Sequence, residues 1–207
     1  MIFLLASLID GDAVITALFV ETKGCYFGED NIDTYDAIRD AKNYTGDNVV
    51  IAHPPCHLWG KLANVNYARW GGDHNKPKND NGHFKFALDA VNRCGGVLEH
   101  PAQTYAWKEY GLVKPERGVW TKSGKGWVCE VWQRAYGHRA NKATWLYFVG
   151  IRKPFDLRWE RKKGDFQIGF QDQRGKAKNK PTLSKKEANA TPIEFRDTLI
   201  GLASYCR

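Results

Sequence analysis

The run Val49-Val50-Ile51-Ala52-His53-Pro54-Pro55-Cys56 limits what this chain can become. Four apolar residues without a polar interruption, three of them β-branched, suit a strand buried on both faces. Two prolines cannot extend a ladder, because each lacks an N–H and has a fixed φ, so the strand ends at His53. Cys56 then stands just beyond the carboxyl edge of a sheet, where open α/β sheets bind ligands. Two readings are open for it: a nucleophilic thiol, or a structural cysteine buried behind a turn.

Val97-Leu98-Glu99-His100-Pro101 repeats the design: a short apolar run, polar groups, then proline. Between the two runs, Phe84, Leu88 and Val91 share one face of a helix expected over 84–92, and Gly95-Gly96 ends it. That helix has the length of a crossover between parallel neighbours. Paired so, Cys56 and Glu99 come side by side at one edge. Glu99 alone reads as a hydrogen-bonded carboxylate at a strand end; beside a thiol it reads as its chemical partner. The polar, glycine-dotted, aromatic stretch Lys61 to Gly82 reads as a long loop.

Elsewhere, Ile2 to Leu8 is a strand or a short buried helix, and Ala13 to Val20 a strand. Asp33 reads as the cap of a helix to about Tyr44, from the spacing of Ile32, Tyr35, Ile38 and Ala41. Arg39 and Asp40 lie on its other side, as a solvated face or as substrate contacts. Ala102 to Tyr110 reads as a helix, and Trp127 to Ala135 and Thr144 to Val149 as strands. Thr191-Pro192-Ile193-Glu194 has the form of a capping box opening a last helix. The fold expected is α/β, with a Rossmann-like, mainly parallel sheet and helices on both faces in residues 1–150. A basic insertion, 151–190, and a terminal helix, 191–207, follow.

At 207 residues the chain is long enough for one domain with a real core. Its formal charge of +8 is compatible with a polyanionic partner. Five scattered cysteines without a C-x-x-C pair point to free thiols in a reducing, cytoplasmic compartment. Met1 to Ile9 is too short to span a bilayer and lacks a basic leader, so no membrane association is expected. His53, Cys56, His57 and His100 gather metal-ligand chemistry, but H-P-P-C-H has no familiar ligand spacing and no metal is expected.

A pyrimidine resists electrophiles at C5 until a nucleophile adds at C6. A thiolate suits that addition, and an acid at ring N3 supports the charge that develops. One cysteine and one acid a base-width apart meet this need, with Glu99 protonated or sharing a proton with the base; partial burial raises its pKa in that direction.

On these residues the chain resembles the C5-cytosine DNA methyltransferase family, and most of all its short phage-encoded relatives. The resemblance rests on Ala52-His53-Pro54-Pro55-Cys56, Val97-Leu98-Glu99-His100-Pro101, Tyr136-Gly137-His138 and Lys142-Ala143-Thr144-Trp145-Leu146, in that order. It implies that Cys56 attacks C6 and that Glu99 engages N3. It also implies that the loop after Cys56 closes over a base flipped from its duplex. His53, Pro55, His57, His100, His138, Lys142 and Thr144 would contact the substrate, a pyrimidine of DNA or its nucleotide. Arg158, Arg161, Lys162, Lys163, Arg174, Lys176, Lys178 and Lys180 stand in the place of a target-recognition region, where they would meet phosphates.

The implied cofactor is S-adenosylmethionine. Three departures from the family pattern stand out. His100 replaces the usual Asn, the later Gln-x-Arg-x-Arg element is missing, and no glycine-rich strand–turn–helix of the kind that cradles this cofactor occupies the N-terminal third. Asp10-Gly11-Asp12 is the nearest approach to that turn, placing Asp10 at the cofactor, and Asp30 or Asp33 stands for the acidic residue at the end of the next strand. Two other readings follow from the departures. One is a base-modifying or base-cleaving enzyme without that donor; the other is a DNA- or nucleotide-binding protein without catalysis.

Overall fold

The computed structural model describes residues 13–168 and 180–207. The expectations placed on Ile2 to Leu8 and on Asp10-Gly11-Asp12 lie outside the described residues. Seven strands form one sheet: β1 (Ile15–Leu18), β2 (Ile32–Tyr35), β3 (Val49–Ala52), β4 (Gly96–Pro101), β5 (Thr121–Ser123), β6 (Gly126–Trp132) and β7 (Ala143–Val149). Their order is β2-β1-β3-β4-β7-β6-β5. The first four are mutually parallel. The β4–β7, β6–β7 and β5–β6 pairs are antiparallel.

The sheet is therefore mixed, and a mainly parallel sheet is only half of what forms. The reason lies in the connections. β3 reaches β4 through the helix α2 (His83–Cys94), long enough for a crossover, whereas β6 reaches β7 through a ten-residue stretch without one. Short connections join antiparallel neighbours.

Alternation along the strands supplies a core to each face. Ile15, Ala17, Val49, Ile51, Val97, Leu146 and Phe148 pack with Phe195, Leu199 and Leu202 of α5 (Ile193–Ser204). Leu18, Val50, Ala52, Leu98 and Tyr147 pack with Phe84, Ala87, Leu88 and Val91 of α2. Helices thus cover both faces, as the apolar runs imply.

Residues 29–44 form no helix. Ile32–Tyr35 is β2, pairing in register with β1, and Asp40 caps only a single 3-10 turn at Ala41–Asn43. The helical spacing there is coincidental; ladder bonds to β1 outweigh a weak local preference. The stretch read as a loop after Cys56 contains α1 (Ala63–Trp70), of which only Ala63 is buried. The short α3 (Tyr105–Glu109) buries Trp107.

The expected capping box at 191–194 is absent: α5 begins after Pro192 with no side-chain cap. The box forms instead at Ser184 and Glu187, opening α4 (Lys185–Asn189). Within 151–168 the chain packs on the core, through Leu157 and a Trp120 Nε1–H bond to the Phe155 carbonyl at 2.9 Å. No described helix is long and apolar enough to cross a membrane.

Candidate functional site

β1 has β2 on one side and β3 on the other, so the strand order reverses between β1 and β3. The crevice past the carboxyl ends at such a switch point is where open α/β sheets place ligands. β3 carries its pairing with β1 one residue further, through a His53 N–H bond to the Leu18 carbonyl at 3.0 Å. β3 also pairs with β4 as Ala52 with Leu98. The next pair in that register is His53 and Glu99. The residue that meets Glu99 is therefore His53, and Cys56 sits three residues on, across the two prolines.

The contact is close. His53 Nδ1 lies 3.0 Å from Glu99 Oε2, and Tyr26 Oη lies 2.9 Å from His53 Nε2. Gln133 Nε2 donates to Glu99 Oε1 at 3.2 Å and to Thr144 Oγ1 at 3.0 Å. Thr144 in turn donates to the Lys142 carbonyl at 3.3 Å. Tyr26, Glu99, Gln133 and Thr144 are buried and His53 is half-buried. One polar chain thus crosses the sheet edge with all of these side chains but His53 buried, where satisfied hydrogen bonds hold geometry tightly.

This arrangement reverses the expectation for Glu99. Burial pushes its carboxyl pKa up, but the His53 hydrogen bond and the charge of Lys142 outweigh that and hold it at about 2. Glu99 is a carboxylate in the free protein, not a resident acid.

Cys56 is half-buried. Burial raises its thiol pKa and the nearby Glu99 charge adds to the rise, while Lys142 and Lys185 pull the other way. His57 is exposed and has Lys185 near it. Pro55 is half-buried in the same turn. The loop after Cys56 is anchored by Trp59, whose Nε1–H donates to the buried Asp80 carboxylate at 2.8 Å. The same carboxylate accepts from the Phe84 N–H, which fixes the start of α2.

His100 lies between Phe84 and Trp107, ring centroids 5.1 and 6.4 Å away, and neither ring nitrogen has a hydrogen-bond partner among the described residues. Burial lowers its pKa to about 4, with the Glu99 charge opposing. It is a neutral packing group. His138 is buried and its Nδ1 lies 3.0 Å from the Ala140 backbone. It lines a cleft of about 210 Å³ with Leu183 and Pro192. Lys142 Nζ bonds the Asn189 carbonyl at 3.2 Å, tying the β6–β7 connection to α4.

Several expected site residues lie elsewhere. Arg39 pairs with Asp33 and stacks 3.9 Å over Tyr35, past the end of β2 and two strands from β3. With Asp40 capping its turn, this cluster is a surface feature rather than part of the thiol edge. Asp30 is exposed. Arg158 is committed to the Ala135 carbonyl and to Glu194, and Lys180 to the Gly164 carbonyl. Arg161 stacks 4.3 Å over Trp132. Lys162 and Lys163 are exposed. Arg174, Lys176 and Lys178 lie outside the described residues.

Sequence reasoning missed Tyr26, Gln133 and Lys185. Tyr26 comes from the β1–β2 connection and Gln133 from the turn after β6. Neither carries a local signal, because each acts through partners 27 and 34 residues away. Among the described residues no group of three His, Cys, Asp or Glu is placed to hold a metal ion. Comparison with family models, with curated proteins and with solved structures gave no match.

Proposed function

We propose that this protein modifies a pyrimidine base, in DNA or as a nucleotide, at the carboxyl edge of β3 and β4, with Cys56 adding to ring C6. The parallel half of the sheet is then a Rossmann-like, methyltransferase-type core. The observation that carries the reading is the in-register parallel pairing of β3 with β4. It brings the thiol-bearing Pro-Pro turn, the buried Glu99 and the half-buried His53 to one edge, next to the switch point between β1 and β3. Exposed Leu62, Val65, Tyr67 and Trp70, with Arg69 4.9 Å over the Trp70 ring, follow directly in and around α1. Such a surface stacks on bases and meets phosphates.

S-adenosylmethionine is the donor that the resemblance implies, and it would supply a methyl group to C5. The described residues do not fit it at the end of β1. No helix follows that strand, so no helix N-terminus faces the crevice there. Asp36, at the end of β2, already accepts from the Thr22 hydroxyl and from the Ile38 and Arg39 N–H groups. Asp33 is paired with Arg39. No step is routed through the donor.

Addition of the Cys56 thiolate to C6 is itself enough to labilise the C5 hydrogen. The adduct takes a proton from water at C5, loses the original one, and expels the thiolate. The test is tritium release from cytosine and uracil labelled at C5, presented as duplex, single strand and mononucleotide. Release that disappears in Cys56→Ala supports the reading. No release from any probe, or equal release by the variant, overturns it. Binding to DNA or nucleotide without exchange identifies the second reading, a non-catalytic binder. The raised thiol pKa of Cys56 favours that alternative.

A further inference from the structure

We propose that the proton given to the pyrimidine ring is stored on His53. Glu99 is then the ionised relay between imidazole and ring, and Tyr26 secures the far nitrogen. This rests on the pyrimidine reading above and gives its acid a different address from the one the resemblance implies.

The direction of each hydrogen bond leads there. Thr144 donates to the Lys142 carbonyl, so its oxygen accepts from Gln133. Gln133 therefore presents its amide NH₂ to Glu99 Oε1. The other oxygen, Oε2, faces His53 Nδ1. With Glu99 ionised, Oε2 accepts from Nδ1 as Oε1 accepts from Gln133. A resident proton on Oε1 would set two donors against each other, which costs the hydrogen bond and leaves a buried group unpaired. Glu99 therefore carries no resting proton, and the imidazole beside it does.

Tyr26 completes the device. When His53 is charged, both ring nitrogens donate, Nδ1 to Glu99 and Nε2 to the Tyr26 oxygen. When it is neutral, the Tyr26 hydroxyl turns and donates to Nε2. A hydroxyl, unlike a carbonyl, serves both states. Tyr26 itself is no proton source, since burial drives its phenol pKa well above the ordinary value. The charged groups acting on this unit are Glu99 from β4 and Lys142 from the β6–β7 connection. Cys25 in the β1–β2 connection and Arg196 and Asp197 of α5 act on it as well. Arg196 also pins the Tyr26 segment, donating to the Cys25 carbonyl at 2.7 Å and to Glu29 at 2.5 Å.

The step balances without another reagent. The Cys56 thiolate forms the S–C6 bond, and the ring electrons shift onto N3. Glu99 Oε2 takes the Nδ1 proton of charged His53 and hands that proton on to N3. The products are a neutral adduct, a neutral imidazole and the original carboxylate. Collapse of the adduct returns the proton. An N3 lone pair is required, so the substrate class is a cytosine ring.

The experiment is the pH profile of Cys56-dependent tritium release from cytosine, joined to imidazole ¹⁵N NMR of His53. The rate is expected to fall on the alkaline side at the pH where NMR shows the ring losing its charge. His53→Asn is expected to lose about 100-fold or more of the rate, the range of general acid–base catalysis. Tyr26→Phe removes the Nε2 partner of both states; because the bond to the charged ring is the stronger of the two, the alkaline limb is expected to move to lower pH even if His53→Asn folds poorly. Exchange that still needs Cys56 but keeps its alkaline limb unchanged in Tyr26→Phe, or its rate in His53→Asn, overturns the relay alone. No exchange in the parent protein overturns the pyrimidine reading and the relay together.

Discussion

A Cβ placed on Gly96 would stand 1.9 Å from the Val50 carbonyl oxygen. Gly96 opens β4 opposite Val50, with φ at +124°, a conformation side chains rarely adopt. This bare position lets β3 and β4 close into the register that sets His53 beside Glu99. Gly96→Ala is expected to cost about 3 kcal/mol or more, from backbone strain and displaced strands. Urea unfolding checks it, and a loss below about 1 kcal/mol would show that the pairing tolerates a side chain.

Acid should destabilise the fold in two windows. His100 has its pKa lowered from 6.5 to about 4 by burial. The unfolded chain therefore binds the proton first, and stability falls as pH drops from 6.5 towards 4. Glu99 has its carboxyl held at about 2 against 4.5, so a second loss runs from pH 4.5 towards 2. Each is on the order of a few kcal/mol, at 1.36 kcal/mol per unit. His100→Leu should remove the upper window and cost little at pH 7, because it replaces a buried group without hydrogen-bond partners by an apolar one. Thermal unfolding from pH 7 to 3 decides; an unchanged upper slope in the variant counts against this account.

Cys56 should alkylate slowly in the free protein. Burial and the Glu99 charge keep the thiol protonated near neutral pH, and the thiolate is the reactive form. Iodoacetamide at pH 7.5 is expected to react more slowly with Cys56 than with free cysteine. Glu99→Gln should quicken it by removing the opposing charge. A faster reaction in the parent protein would mean a thiolate already formed.

The basic segment should divide into two classes. Lys162 and Lys163 are exposed, so replacing either by alanine should weaken duplex DNA binding and reduce its salt slope by about 1. Arg158 holds Ala135 and Glu194, so Arg158→Ala should instead lower thermal stability. Equal salt slopes across all three variants would show that this face does not meet phosphates.

Much of the parallel half is legible locally. Pro54 and Pro101 mark where β3 and β4 stop, and Gly95-Gly96 marks the end of the crossover helix. The 29–44 segment was illegible because a four-residue strand leaves too short a pattern to outweigh accidental helical spacing. Its true partner, β1, lies outside the window of the local pattern, with Ile15 pairing to Ile32. The capping box forms at Ser184 instead: Thr191 matches the motif, but the N-cap of α5 is Pro192, which has no side-chain oxygen to accept a bond.

By itself, the amino-acid order determined that two proline-stopped strands would flank a crossover helix and present a thiol and a carboxyl to one sheet edge. Backbone stiffness and hydrophobic period are short-range properties, and they can be read along the chain. Only the tertiary structure decided that His53, not Cys56, would be the nearest partner of Glu99, and that Tyr26 and Gln133 would complete the network. Those contacts join residues 27 to 46 positions apart. They exist because an unpaired buried polar group costs free energy, and the partners of these groups lie across the fold.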